Sequence, residues 1–124
     1  MRSADPLAGL VPERFDRHTV IFLIRPADAP AYSDEELDRL QVEHLTYLRG
    51  LQDEGVLIAN GPLDDQTDIR MRGISIYALP LEQALELAND DPMVHAGRFE
   101  IRGAQWLTAE GSISFGLPGD REQD

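Results

Sequence analysis

The run His18-Thr19-Val20-Ile21-Phe22-Leu23-Ile24 leaves this chain few folds to choose from. Its β-branched and apolar residues favour extended backbone, and Arg25-Pro26 ends it. Side chains of a strand alternate between faces, so a stretch apolar from Val20 to Ile24 presents hydrocarbon to both. Such a strand belongs where both faces are covered.

The rest of the chain supplies one of those covers. Ser33-Asp34-Glu35-Glu36 has the S-x-x-E form of a capping box and opens a helix over about residues 34–54. Leu37, Leu40, His44, Leu48 and Leu51 recur at steps of three and four as one inward stripe, and Gly55 is a natural stop. Val56 to Leu63 reads as a second strand and Ile69 to Leu79 as a third, with the turn "DDQTD" between them. Pro80-Leu81 opens a second helix with Leu81, Ala84, Leu85, Leu87 and Ala88 apolar. It should end near Asp90, because the residue before Pro92 resists α geometry. Arg98 to Leu107 reads as a fourth strand, alternating Phe99 and Ile101 against Arg98, Glu100 and Arg102, and "SISF" (112–115) as an added edge strand.

The order β-α-β-β-α-β is the split βαβ, or ferredoxin-like, pattern of the α+β class, with a four-stranded antiparallel sheet. Both helices fall on one face of the sheet. The other is left bare, and a second copy of the chain is the economical cover, so a homodimer is expected.

At 124 residues the chain fits one domain. Residues 1–17 mix Pro, Gly and charges without a period and read as an N-terminal arm. Residues 18–115 form the folded domain, and 116–124 a loose acidic tail. The absence of cysteine excludes disulfides, thiolate nucleophiles and Cys-type zinc sites. No signal peptide and no apolar run of membrane-spanning length is visible, which points to a cytoplasmic protein.

A net charge of −12, with no lysine and scattered arginines, argues against nucleic acid and against anionic membrane surfaces. "RGISIYAL" resembles the third strand of an RNA-recognition motif, but Ile74 and Ile76 occupy the positions where stacking aromatics would be needed. "GPLDD" offers too few free N–H donors for a phosphate loop.

His44 is the most informative titratable residue. Four residues after Leu40 and four before Leu48, it points with the leucines. One reading is a core histidine donating to a carbonyl. The other is a general acid/base, since imidazole titrates nearest neutral pH. Asp91 is equally double: before Pro92 it is a good N-cap, and a buried carboxylate is also what orients a catalytic histidine. Spacing alone does not bring positions 44 and 91 together. His95 reads as a rim histidine with a place in substrate binding, and Asp90 as a solvated helix-end acid. A metal set of His44, Asp91, His95 and His18 lacks any ligand spacing. Arg25 and Arg72, at the ends of central strands, are the best placed arginines to receive an anionic substrate.

The ordered features "EHLTYLRGLQDEGVLIANGPL", Gly73 on the third strand, and "DDPMVHAGRFEIR" resemble the YCII-related family over about residues 18–107. The resemblance implies a ferredoxin-like subunit in a dimeric α+β barrel, related in architecture to muconolactone isomerase. It also implies a pocket between sheet and helices holding a histidine and an aspartate as acid/base, which fall on His44 and Asp91. One activity of the family is a cofactor-free dehydrochlorination of an aromatic. The chain departs from compact members in its N-terminal arm, its "QWLTAEGSISF" end and His95.

Two functions follow as expectations. The first is a cofactor-free lyase or isomerase acting on a small, cyclic or phenolic molecule through His44 and Asp91. The second is a non-catalytic dimeric module for a small ligand or a partner protein, with His44 as core and Asp91 as cap. An oxygenase on the same barrel would need a haem or flavin site, and no sequence element offers one.

Overall fold

A computed structural model of the chain describes residues 6–116 and gives the order β1 (Phe15–Ile24), α1 (Asp34–Asp53), β2 (Leu57–Pro62), β3 (Met71–Tyr77), α2 (Leu81–Asn89), α3 (Pro92–His95) and β4 (Glu100–Ala109). The first five residues of the arm and the tail from 117 onward lie outside the described residues. Among the described residues no helix is long and apolar enough to cross a membrane.

The strands form one antiparallel sheet in the order β2-β3-β1-β4, the ferredoxin-like arrangement. Register decides which side chains share a face. Ile21 stands opposite Ser75 on β3 and Gly103 on β4, and Thr19 opposite Tyr77. On this face α1 contributes Leu48 and Leu51, and α2 Ala84 and Ala88, to a core completed by Ile21, Leu57 and Tyr77. A Cβ at Gly103 would lie 2.9 Å from Leu81 and from Leu85. The bare backbone there is what lets α2 rest directly on β4. The alternate residues Val20, Phe22, Ile24, Ile74, Ile76 and Trp106 face the opposite way, where no helix of the described residues packs.

α1 keeps the boundaries its sequence signals. Ser33 accepts from the Glu36 N–H while the Glu36 carboxylate accepts from the Ser33 N–H, closing the capping box. At the other end the Gly55 N–H donates to the Gln52 carbonyl and the Val56 N–H to the Leu51 carbonyl, the paired bonds of a Schellman motif. Gly55 holds φ at 79°, with nothing near its missing Cβ. Gly55→Ala therefore isolates the backbone penalty and is expected to cost about 1 kcal/mol, read as a lowered urea midpoint at unchanged m-value.

The strand ends differ from their sequence signals. β1 begins at Phe15 rather than His18, and β4 runs on to Ala109, because Phe15, Asp16 and Arg17 pair with Ala109, Thr108 and Leu107. Backbone hydrogen bonds carry this extension, and the mixed side chains of Phe15, Asp16 and Arg17 give it no apolar run. Residues 15–17 of the arm are thus strand. β4 starts at Glu100 rather than Arg98, since the N–H groups of both Arg98 and Phe99 donate to the Met93 carbonyl instead of to a strand. "SISF" forms no strand. Its Phe115 ring packs edge-on against His18, 5.6 Å between centroids, at one end of the helix-free face.

Candidate active site

The helical repeat that builds α1 turns His44 inward, where its residue retains 8% exposure. Asp91 arrives from the other side. α2 ends at Asn89, Asp91 takes extended backbone as the N-cap of α3, and Pro92 starts the turn with its φ already set. The Asp91 carboxylate, 2% exposed, divides its two oxygens. Oδ1 accepts from the Met93 N–H at 2.9 Å, and Oδ2 accepts from His44 Nδ1 at 2.6 Å. Cap and histidine partner, alternatives from the sequence, are one residue in two bonds. α1 and α3 pack together, which closes the 47-residue separation between His44 and Asp91.

An ionised carboxylate only accepts, so the bond places the proton of the neutral imidazole on Nδ1 and leaves Nε2 with its lone pair. Nε2 has no hydrogen-bond partner among the described residues, and every fully buried side-chain nitrogen or oxygen among them has one. Nε2 is therefore not fully buried and keeps some exposure. The ring is steadied on its flank by Phe99, which meets it edge-on at 5.6 Å.

His44 forms part of the wall of a cavity of about 240 Å³ between α1 and the β1-β3-β2 part of the sheet. An apolar cavity of roughly 150 Å³ holds benzene, so this one suits a molecule of about one substituted ring. Leu23, Leu48, Met93 and Phe99 give it apolar walls, and Gln41, Asn60 and Ser75 add neutral polar groups. Arg25 and Arg72 line it as well. The Arg25 Nε–H donates to the Arg98 carbonyl at 2.9 Å and its guanidinium lies over the Phe99 ring, 5.4 Å from the centroid. Burial first, then the like charges of Arg98 and Arg72, hold Arg25 below the ordinary arginine range.

Asp91 is not on the wall; the His44 ring stands between it and the cavity. Beneath lies a void of about 10 Å³, room for one water at most, bordered by Asp91, Ser75 and Tyr77. Burial, then the nearness of Tyr47 and Asp91, pushes the Tyr77 hydroxyl up to about 12, so it stays a neutral phenol at physiological pH and is no rival base.

Of the residues singled out in the sequence, the fold thus gathers His44, Arg25 and Arg72 on one cavity with Asp91 behind. It leaves His95 out. That side chain is 64% exposed, faces Asp90 at 3.4 Å, and does not line the cavity, because the single turn of α3 carries it to the outer side. His18 lies on the helix-free face, hydrogen-bonded to Thr108 at 3.0 Å, and among the described residues no three His, Cys, Asp or Glu side chains converge as metal ligands. Sequence reasoning missed Ser75 and Phe99 as cavity residues. Ser75 carried no signal beyond its place in a strand. Phe99 had one, a large aromatic directly after Gly97-Arg98, but the alternation of the following residues absorbed it.

The YCII-related domain matches residues 19–104 of the chain. Among solved structures, the chain is similar to 5-chloro-2-hydroxyhydroquinone dehydrochlorinase from Burkholderia phenoliruptrix AC1100, solved in complex with 2,5-dihydroxybenzoquinone. Sequence identity to it is 20%, the match covers 72% of this chain and 92% of that one, and the TM-score is 0.49. No curated protein sequence matches.

Proposed function

The chain belongs to the YCII-related family, and we propose that it is a cofactor-free small-molecule enzyme, a lyase or isomerase, with His44 as its general acid/base and Asp91 as the residue that orients it. The observation that carries this reading is the buried 2.6 Å bond from His44 Nδ1 to Asp91 Oδ2, with the free edge of the ring on a cavity wall. Nε2 would take a proton from a substrate bound in the cavity. The imidazolium so formed is held by the Asp91 carboxylate, which gains a full ionic partner at that moment. The proton then returns to a second atom of the substrate, giving an isomer, or leaves to solvent as a substituent departs, giving elimination. Imidazole moves a proton in either course unaided.

His44→Ala tests the role. It opens the cavity to water without touching the α3 cap, so the variant is expected to stay folded by circular dichroism and to lose turnover. Full activity in a folded His44→Ala protein would refute the assignment.

The second reading, a non-catalytic dimeric module for a small ligand or a partner protein, is favoured by one observation. The Oδ1 bond to the Met93 N–H gives Asp91 a structural task sufficient in itself. The two readings share a homodimer, in which the helix-free face of the sheet meets its copy. On that face Phe22 lies on the central strand β1. Phe22→Asp would place a charge within the apolar contact, and it is expected to shift the sedimenting species from dimer to monomer. A wild-type chain that sediments as a monomer at micromolar concentration would remove the dimer from both readings.

A further inference from the structure

The cavity beside His44 is electrostatically unlike the rest of the molecule. The chain carries 23 Asp and Glu against 11 Arg, yet no acid lines this cavity, while Arg25 and Arg72 do. Outside it Arg49 pairs with Asp53, Arg70 with Asp68 and Arg102 with Glu100, while Arg14, Arg17 and Arg39 form no ion pair among the described residues and stand on the surface, not around a cavity with His44. Arg25, Arg72 and Arg98 form no ion pair among the described residues, and Arg98 and Arg72 lie close enough to act on Arg25 as like charges. Gathering unpaired cations costs free energy that a bound anion would offset. At physiological ionic strength charges beyond about 8 Å are largely screened, so the field inside the cavity is set by these guanidiniums and by the Asp91 carboxylate, which is already committed to His44 and the Met93 N–H, rather than by the net −12.

Two further features give the site a built character. Arg25 is held rigidly, with Nε committed to the Arg98 carbonyl and its plane over Phe99, which leaves the terminal Nη groups as its available donors. Ser75, 2% exposed and on the cavity floor, has a hydroxyl with no hydrogen-bond partner among the described residues. Since every fully buried side-chain oxygen among them is partnered, that hydroxyl opens onto the cavity space it borders.

We propose that this cavity binds small organic oxyanions of about one ring or less, with Arg25 as the anchoring guanidinium, Arg72 as a second cation and Ser75 as a neutral donor. This rests on the proposed site and names its substrate class. Phe99 touches both the His44 ring and the Arg25 guanidinium, so an acid anchored at Arg25 lies along the Phe99 side of the cavity with its carbon skeleton toward Nε2. A guanidinium presents a planar pair of donors that matches a carboxylate and is wasted on a neutral amide.

The experiment uses the full chain and matched probes: acetate with acetamide, crotonate with crotonamide, and benzoate with benzamide. Binding is followed through the His44 ring signals in NMR titrations. At least one acid is expected to bind ten times more tightly than its amide, a difference of about 1.4 kcal/mol. Arg25→Gln is expected to abolish that preference and Arg25→Lys to retain part of it. If Arg25→Gln does not fold, Arg72→Gln serves, with a reduced preference expected. Equal binding of acid and amide, binding of amides alone, or no binding by any acid would overturn the proposal. Acid binding requires no proton transfer and should persist in Asp91→Asn. Loss of the anion preference thus leaves the His44–Asp91 chemistry standing, and failure of that chemistry with acids still bound leaves a small-anion receptor.

Discussion

Asp91→Asn is expected to lower turnover by about 10⁴-fold while the protein remains folded, the size of effect the same exchange has within a Ser-His-Asp triad. The reason lies in the division of the carboxylate. The α3 cap requires an acceptor facing the Met93 N–H, so the asparagine amide oxygen must occupy the Oδ1 position. That turns the amide NH₂ toward His44 Nδ1, where the carboxylate oxygen stood at 2.6 Å. Two donors cannot share that bond, and the imidazole proton moves to Nε2. The cavity-facing nitrogen then carries a hydrogen and has no lone pair with which to take another. Stability should fall by only about 1 kcal/mol, since the cap survives and a neutral hydrogen bond replaces a charge-assisted one. Measured together, kcat and the urea midpoint separate the two functions. A non-catalytic module would show the small stability change and nothing else.

His44→Leu is expected to destabilise the fold by about 3 kcal/mol, more than His44→Ala despite the closer match in volume. Leucine fills the ring's place, keeps water out, and leaves the Asp91 Oδ2 buried without a donor. Alanine opens that oxygen toward the cavity, where water can reach it. Adding Asp91→Asn to His44→Leu is expected to recover part of the loss, because an unpaired buried amide costs less than an unpaired buried charge. Chemical denaturation of the four proteins completes the cycle. A His44→Leu protein as stable as the parent would mean that the pair is not held as a buried charge with its donor.

The features legible in the sequence are those that repeat. The three- and four-residue spacing of Leu37, Leu40, His44 and Leu48 fixed both the extent of α1 and the inward aim of His44. The capping box and Gly55 marked its ends, since both act through hydrogen bonds local in sequence. Strand ends were less legible. The pairing of Phe15–Arg17 with Leu107–Ala109 is a backbone matter that a mixed run of side chains does not advertise, and the shared Met93 carbonyl that diverts Arg98 and Phe99 out of β4 depends on α3. The partnership of His44 and Asp91 lay beyond spacing altogether, because it needs α1 and α3 to pack. His95, read as a rim histidine, does stand exposed at the surface: four residues from Asp91 in sequence, it is carried away from the cavity by the one-turn helix between them.

The most direct test needs no substrate. In protein labelled with ¹⁵N at histidine, the two ring nitrogens of His44 report which of them carries the proton when the ring is neutral. With Asp91 intact, Nδ1 is expected to show the protonated shift and Nε2 the bare one, and Asp91→Asn is expected to exchange them. A wild-type ring protonated at Nε2, or a pattern unchanged by Asp91→Asn, would contradict the role of Asp91 as the residue that readies His44 for proton transfer.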